Sequence, residues 1–132
     1  MSIFRVKYLS IFFGLISILS FFNIIYSYYF NLYLNLNTYY LSLVSSLIIA
    51  LIFYNLKSKE KKPTIFEKIV TVFLGYFLIP LILSIPFYFS IYNLTFLNSL
   101  FETISGFTST GFTIFENIKH IDQSLILWRS SI

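Results

Sequence analysis

The chain has 132 residues, of which 58% are hydrophobic, 22% aromatic and only 11% charged, with a formal net charge of +4. Its mean hydropathy of +0.83 lies outside the usual range of soluble domains, so the composition indicates a protein whose solvent is lipid. The absence of cysteine excludes a disulfide framework and a thiolate metal site, and a single histidine excludes a histidine-rich metal cluster.

The first long apolar stretch, residues 8–56, contains no charged residue and is predicted to form two membrane crossings. Helix 1 is predicted at about residues 8–30 and helix 2 at about residues 39–56, since a crossing needs roughly 20 apolar residues. Asparagine favours turns, and three lie between these helices: Asn31, Asn35 and Asn37. An external turn is predicted there. Helix 1 is expected to be an uncleaved span, because no signal-peptide cleavage site follows it.

Positive charges flank this predicted pair of crossings. They are Arg5 and Lys7 before helix 1, and the lysines of the segment KSKEKKP, residues 57–63, after helix 2. Cytoplasmic segments are enriched in Lys and Arg, so the N-terminus is predicted to be cytoplasmic. A basic run also suits nucleic acid or anionic lipid. This one is short and lies between two spans, so topology explains it, with attraction to lipid headgroups and no nucleic-acid role.

Helix 3 is predicted at about residues 64–89, where Pro80 and Pro86 bend or end it. Residues 96–105 then favour a helix of only about 15 Å, which is half the thickness of a membrane. Gly106 and the polar residues after it are expected to break this helix. A half-membrane helix followed by a polar loop is typical of a re-entrant element.

The loop after this half-helix contains the candidate ion ligands Thr108, Ser109, Thr110 and Gly111. Non-helical backbone at membrane depth is tolerated only where protein buries it or where it lines a water-filled path. In a selectivity filter, carbonyl and hydroxyl oxygens replace the hydration shell of an ion, and the partial negative charge at a helix C-terminus favours a cation. The TSTG pattern alone is equally compatible with an ordinary polar turn.

Three spaced motifs, SIPFYFS, FLNSLFETISGFTSTGFT and SLILWRS, occur in this order over about residues 64–130. Together they resemble the first pore repeat of the TrkH and KtrB family of potassium transporters. The matching residues are Ile85, Pro86, Phe87, Phe101, Glu102, Ser105, Gly106, Thr108, Thr110, Gly111, Leu127, Trp128, Arg129 and Ser130. Helices 1 and 2 fit the two additional N-terminal helices of the TrkH branch. Phe112 departs from the pattern, where a smaller residue such as alanine is common.

The resemblance implies potassium uptake across the bacterial inner membrane, with potassium as the transported ion and no cofactor. It implies four helix, pore-loop, helix repeats around a central pore, usually in a homodimer with a cytosolic nucleotide-binding Trk regulatory protein. The chain ends soon after the first pore loop, so it is expected to be a fragment that is inactive alone, because one strand cannot surround an ion. The alternative is a small membrane protein that anchors or binds a partner.

The predicted fold is an all-α membrane protein with three transmembrane helices, a re-entrant pore helix with a filter loop, and the start of a fourth spanning helix. Residues 1–63 are expected to form the two-helix hairpin and cytoplasmic basic loop. Residues 64–132 are expected to form the first helix, the pore loop and the start of the second helix of the repeat.

Glu102 is the only acidic residue predicted at membrane depth, where an ionisable group is a functional candidate. It either adds to the negative field near the filter or pairs with Arg129, and the cost of burying an unmatched charge favours the pair. His120, Asp122 and Ser124 lie close together, as in some hydrolases, but no nucleophile elbow or oxyanion loop accompanies them. No enzyme is expected, and Asp122 or Ser124 is expected to cap a helix.

Overall fold

The computed structural model describes residues 7–55, 64–116 and 120–132, and these residues form helices and contain no strand. The helices are α1 Lys7–Tyr29, α2 Leu36–Asn55, α3 Ile65–Leu83, α4 Ile85–Tyr88, α5 Phe96–Phe107 and α6 Gln123–Ser131. Among these described residues, three stretches are long and apolar enough to cross a membrane: Tyr8–Tyr29, Leu36–Asn55 and Ile65–Tyr88. The described part of the chain is therefore all-helical, with three candidate membrane-spanning helices. Arg5 and the basic segment 57–63 lie outside the described residues.

Helices α1 and α2 form an antiparallel hairpin whose contact face is lined by serines. The Oγ atoms of Ser17 and Ser46 lie 2.8 Å apart, and Ser20 Oγ donates to Ser42 Oγ at 3.1 Å. The partner numbers fall along α2 as they rise along α1, which is the antiparallel register. Small side chains let two helix backbones approach closely inside a membrane, so the serines serve packing as well as hydrogen bonding.

The turn between α1 and α2 contains two of the three asparagines that were predicted there. Asn31 has a φ of 56°, in the left-handed region that asparagine tolerates, and Asn35 directly precedes α2. Asn37 lies inside the helix, because α2 begins at Leu36 and not near residue 39. The Asn35 carbonyl already accepts bonds from the backbone N–H and the hydroxyl of Thr38, which start the helix early.

Helix α3 begins with a capping box, which was not predicted, and it ends near its prolines, which was predicted. Thr64 Oγ1 accepts from the Glu67 N–H at 3.3 Å, and the Glu67 carboxylate accepts from the Thr64 N–H at 3.1 Å. Pro80 lies inside α3, and Pro86 lies at the start of the short helix α4. The two helices together make the third apolar stretch.

The core joins the hairpin to α3, α4 and α6. The rings of Tyr39 on α2 and Trp128 on α6 are fully buried with centroids 5.9 Å apart. Trp128 Nε1 also donates to the Leu83 carbonyl at 3.1 Å, which satisfies an acceptor at the C-terminal end of α3. Large apolar side chains such as Ile11 and Phe73 stay exposed on the helix faces, as in a protein surrounded by lipid.

Candidate functional site

The candidate site lies at the C-terminal end of α5, a helix of 12 residues that is about 18 Å long. The helix continues through Gly106 to Phe107, so the prediction that Gly106 ends it is wrong. The residue in the left-handed conformation that closes the helix is Ser109, two positions after Phe107, with a φ of 55°. The Ser109 N–H donates to the Gly106 carbonyl at 2.9 Å and the Thr110 N–H donates to the Ser105 carbonyl at 3.0 Å. These two bonds are those of a Schellman motif.

Gly106 has a packing role between α5 and α6. A Cβ at this position would lie 3.1 Å from Ile132 Cγ1 and 3.3 Å from the Arg129 carbonyl oxygen. Both distances are shorter than ordinary van der Waals contact, so a side chain at residue 106 would require α6 to shift by a few tenths of an ångström. The glycine thus favours a close contact between α5 and the helix that carries Arg129.

Residues 108–111, which we call the candidate loop, are exposed. Two of their hydroxyls are directed back to the helix: Thr108 Oγ1 donates to the Ile104 carbonyl at 2.7 Å and Thr110 Oγ1 to the Ser105 carbonyl at 3.2 Å. Gly111 has a φ of 79°, which a residue with a side chain rarely adopts. Within the described part of the chain, no donor binds the carbonyl oxygens of Thr108, Ser109 or Thr110.

Behind the candidate loop, the fully buried carboxylate of Glu102 binds the segment that leaves it. Glu102 Oε1 accepts from Thr113 Oγ1 at 2.7 Å and from the Ile114 N–H at 2.6 Å. Its other oxygen, Oε2, lies 3.0 Å from Arg129 Nε. This second contact is an ion pair without the alignment of a hydrogen bond, since neither Nε nor Oε2 has a hydrogen-bond partner among the described residues.

Arg129 also reaches the loop backbone. Its Nη2 donates to the Phe112 carbonyl at 2.7 Å and lies 3.5 Å from the Gly111 carbonyl oxygen. Ser105 Oγ donates to the same Phe112 carbonyl at 2.6 Å. The Phe112 carbonyl is therefore fixed from two sides, whereas its side chain is 70% exposed. At this position the sequence differs from the TrkH and KtrB pattern that it resembles, and the phenylalanine ring lies outside the packed interior of this chain.

His120, Asp122 and Ser124 do not converge as catalytic groups. Asp122 Oδ1 accepts from the Ser124 N–H at 3.1 Å and caps α6. The Ser124 hydroxyl lies 2.9 Å from the hydroxyl of buried Tyr39, and the exposed His120 contributes only its carbonyl, which accepts from Tyr92 at 3.3 Å. The side chains of Asp122 and Ser124 therefore have structural contacts.

Sequence reasoning did not assign a role in the site to Thr113, Asn35 or Tyr92. Thr113 binds Glu102, and the other two bind Asp122, the cap of the helix that carries Arg129. Thr113 continues the polar run after the glycine, and that position was a usable signal. Asn35 gave none, because an asparagine in a turn has the same sequence pattern whether its amide is in water or buried.

Comparison with known proteins gives a limited result. No protein-family model and no solved structure matches the chain. A curated protein of Methanocaldococcus jannaschii, described as an uncharacterized cation transporter, is 28% identical over 102 residues. The match covers 76% of this chain and 22% of that protein, so the chain spans about a fifth of its relative's length. The likeness to the TrkH and KtrB family therefore depends on the motifs, and what these findings identify is a membrane protein similar to a cation transporter.

Proposed function

We propose that this chain forms part of a membrane pathway for monovalent cations, with potassium as the transported ion and residues 108–111 as one strand of its selectivity filter. The observation that carries the proposal is that no donor among the described residues binds the carbonyl oxygens of Thr108, Ser109 and Thr110, which follow a helix too short to cross a membrane. The similarity to a described cation transporter supports it.

The charges behind the candidate loop suit a cation. A guanidinium beside a cation site repels the ion unless another charge neutralises it. Arg129 is neutralised by the Glu102 carboxylate at 3.0 Å, and it donates to the Phe112 carbonyl and not to those of residues 108–110. The C-terminal end of α5 adds its own partial negative charge. The carbonyls that remain free therefore have no unmatched positive charge next to them in the described residues.

One such loop cannot surround an ion, so the pathway needs further loops of the same kind. In this proposal α5 is a re-entrant pore helix and α6 is the start of a fourth spanning helix. The remaining features follow from the resemblance: further repeats, a homodimer, a cytosolic nucleotide-binding Trk regulatory protein, a cytoplasmic N-terminus and residence in the bacterial inner membrane.

The test is a graft. Residues 96–132 replace the corresponding segment of a TrkH-type transporter, and radioactive rubidium uptake is measured in a bacterium that lacks its own potassium uptake. We expect the graft to support uptake, and Gly111→Ala to reduce it about tenfold, because ~1.4 kcal/mol of strain at this φ is a factor of ten. Leu97→Ala, at a position 76% exposed on α5, is the control variant and should keep uptake. A graft that reaches the membrane in normal amount without rubidium uptake would contradict the proposal.

A further inference from the structure

We propose that Asn35, in the turn between α1 and α2, is a positioning residue for the candidate loop, to which it is linked through α6. Its relevance to ion selection depends on the proposed function, whereas the contacts do not. Asn35 is only 1% exposed, although it lies in a turn. A buried amide is costly unless its hydrogen bonds are made, so its partners show what it holds.

Both ends of the Asn35 amide are bound by distant segments. Its Nδ2 donates to Asp122 Oδ2 at 2.8 Å, and its Oδ1 accepts from the Ile91 N–H at 3.1 Å. A backbone N–H must donate and a carboxylate must accept, so the two partners fix the orientation of the amide. One side chain of the hairpin thereby joins the segment after α4 to the start of α6.

Asp122 transmits this contact to α6. While Oδ2 is held by Asn35, Oδ1 accepts from the Ser124 N–H and caps the helix. The Asp122 N–H is fixed as well, because it donates to the Tyr92 hydroxyl at 2.6 Å. The position of the helix start is therefore determined from both the hairpin and the segment after α4.

Two further contacts keep α6 against the hairpin along its length. Ser124 meets the Tyr39 hydroxyl at 2.9 Å, and one turn later Trp128 packs on the Tyr39 ring. The next residue is Arg129, which binds the Phe112 carbonyl and pairs with Glu102. Asn35 is thus connected to the loop backbone by a helix fixed at both ends.

The test measures the position of the loop directly. The chain contains no cysteine, so two cysteines introduced at exposed positions carry the only spin labels. One pair, at Ser109 and Leu51, reports on the candidate loop relative to α2, and a second pair, at Ile11 and Leu51, reports on the hairpin itself. Distances are measured by pulsed electron paramagnetic resonance on the whole chain in lipid nanodiscs.

Asn35→Asp is the principal variant, because it keeps the shape of the side chain and places a second carboxylate against Asp122. We expect the distance distribution of the loop pair to become about twice as wide, since local opening follows the loss of a buried hydrogen bond. The hairpin pair should keep its distribution. Unchanged loop distances would overturn the proposal. A change in both pairs would also overturn it, because Asn35 would then support the whole fold.

The reciprocal double variant, Asn35→Asp with Asp122→Asn, provides the rescue. Every hydrogen bond of the original pair is kept in it, with the direction of the bond between the two side chains reversed. The amide introduced at position 122 donates to the carboxylate introduced at position 35, and its oxygen accepts from the Ser124 N–H as a good helix cap. The new carboxylate still accepts from the Ile91 N–H. We expect the loop distances of the original chain to return, and a double variant as broad as the single one would overturn the proposal.

Ser20→Ala is the matched control. It removes a buried hydrogen bond from the same hairpin, to Ser42, that does not touch α6. The loop distances should not change, and a broadening equal to that of Asn35→Asp would show that the effect is not specific to Asn35. No ion is used in these measurements, so a failure of positioning is distinct from a failure of rubidium uptake by the graft.

Discussion

Buried polar side chains stabilise two regions of this chain, the α1–α2 hairpin and the candidate loop, in different ways. In the hairpin, neutral hydroxyls pair with one another, as in Ser17 with Ser46 and Ser20 with Ser42, between helices that already satisfy their own backbones. Behind the candidate loop, the Glu102 and Arg129 charges bind backbone groups that no helix satisfies. The hairpin bonds adjust a contact between formed elements, whereas the loop bonds replace the missing secondary structure.

This difference predicts how strongly each region responds to the loss of one polar group. A hydroxyl removed from a helix contact leaves the helices intact, and such bonds average about 0.6 kcal/mol in membrane proteins. A charge removed from behind the loop leaves an unmatched partner and unsatisfied backbone. Four substitutions, ordered from the largest expected effect to the smallest, test this comparison.

Glu102→Gln should have the largest effect. It removes the charge that matches Arg129 and should lower the free energy of unfolding by about 3 kcal/mol, as for other buried pairs that lose one partner. Denaturant unfolding in micelles measures it. Glu67→Gln is the matched control, because Glu67 makes only an exposed capping contact on α3 and should cost less than about 1 kcal/mol. Equal losses for both variants would remove the distinction between the two kinds of carboxylate.

Gly106→Ala should cost about 2 kcal/mol, because the added Cβ would lie 3.1 Å from Ile132 and 3.3 Å from the Arg129 carbonyl and would push α6 away from the loop. Gly14→Ala makes the same chemical change where no atom lies within 4 Å, so it should stabilise α1 by up to about 1 kcal/mol. Opposite signs in thermal unfolding are the expected result. A neutral Gly106→Ala would show that α6 does not need this close approach.

Ser109→Gly should stabilise the chain by about 1 kcal/mol. Ser109 ends α5 with a φ of 55°, a position where glycine has no steric cost. The comparison is Gly111→Ala, which introduces a side chain at a φ of 79° and should destabilise by a similar amount. Both are read from denaturant midpoints. If Ser109→Gly is destabilising, the turn depends on the serine side chain and not on its backbone.

Ser20→Ala should have the smallest effect, about 0.6 kcal/mol, since α1 and α2 keep their packing and their other serine pair. Unfolding of the variant in micelles measures it. A loss as large as that of Glu102→Gln would mean that the hairpin depends on its hydroxyls as strongly as the loop depends on its charges.

The three apolar helices were predictable from the sequence, because length and hydropathy determine them. The backbone hydrogen bonds of each helix are also made within that helix and need no distant partner. The residue at which α5 ends was not predictable in this way. Glycine usually marks a helix end, but here Gly106 lies in close contact with α6, and Ser109 adopts the left-handed conformation that ends the helix. A local sequence pattern does not predict which residue contacts a distant helix, because that contact depends on tertiary structure.

The residues of the candidate site were also predictable only in part. Glu102 was noticed because charges are rare at membrane depth, and Arg129 was expected as its partner from the motif that contains it. The structure brings the two together at 3.0 Å. The contact of Thr113 with Glu102 was not predicted, because a place in the polar run does not show which group a hydroxyl binds. The double anchoring of the Phe112 carbonyl was not predicted either, since backbone contacts leave no distinctive composition. The use of residues 108–111 as ion ligands stays a prediction.

The contact between Asn35 and Asp122 also affects the order of folding. The two residues are 87 positions apart in the chain, so at usual rates of synthesis Asp122 emerges about 4–17 s after Asn35. Until then the Asn35 amide lacks the carboxylate that accepts from it in the folded chain, and a buried amide without a partner is costly. We therefore expect the α1–α2 turn to stay in contact with water during insertion, until the start of α6 completes its burial.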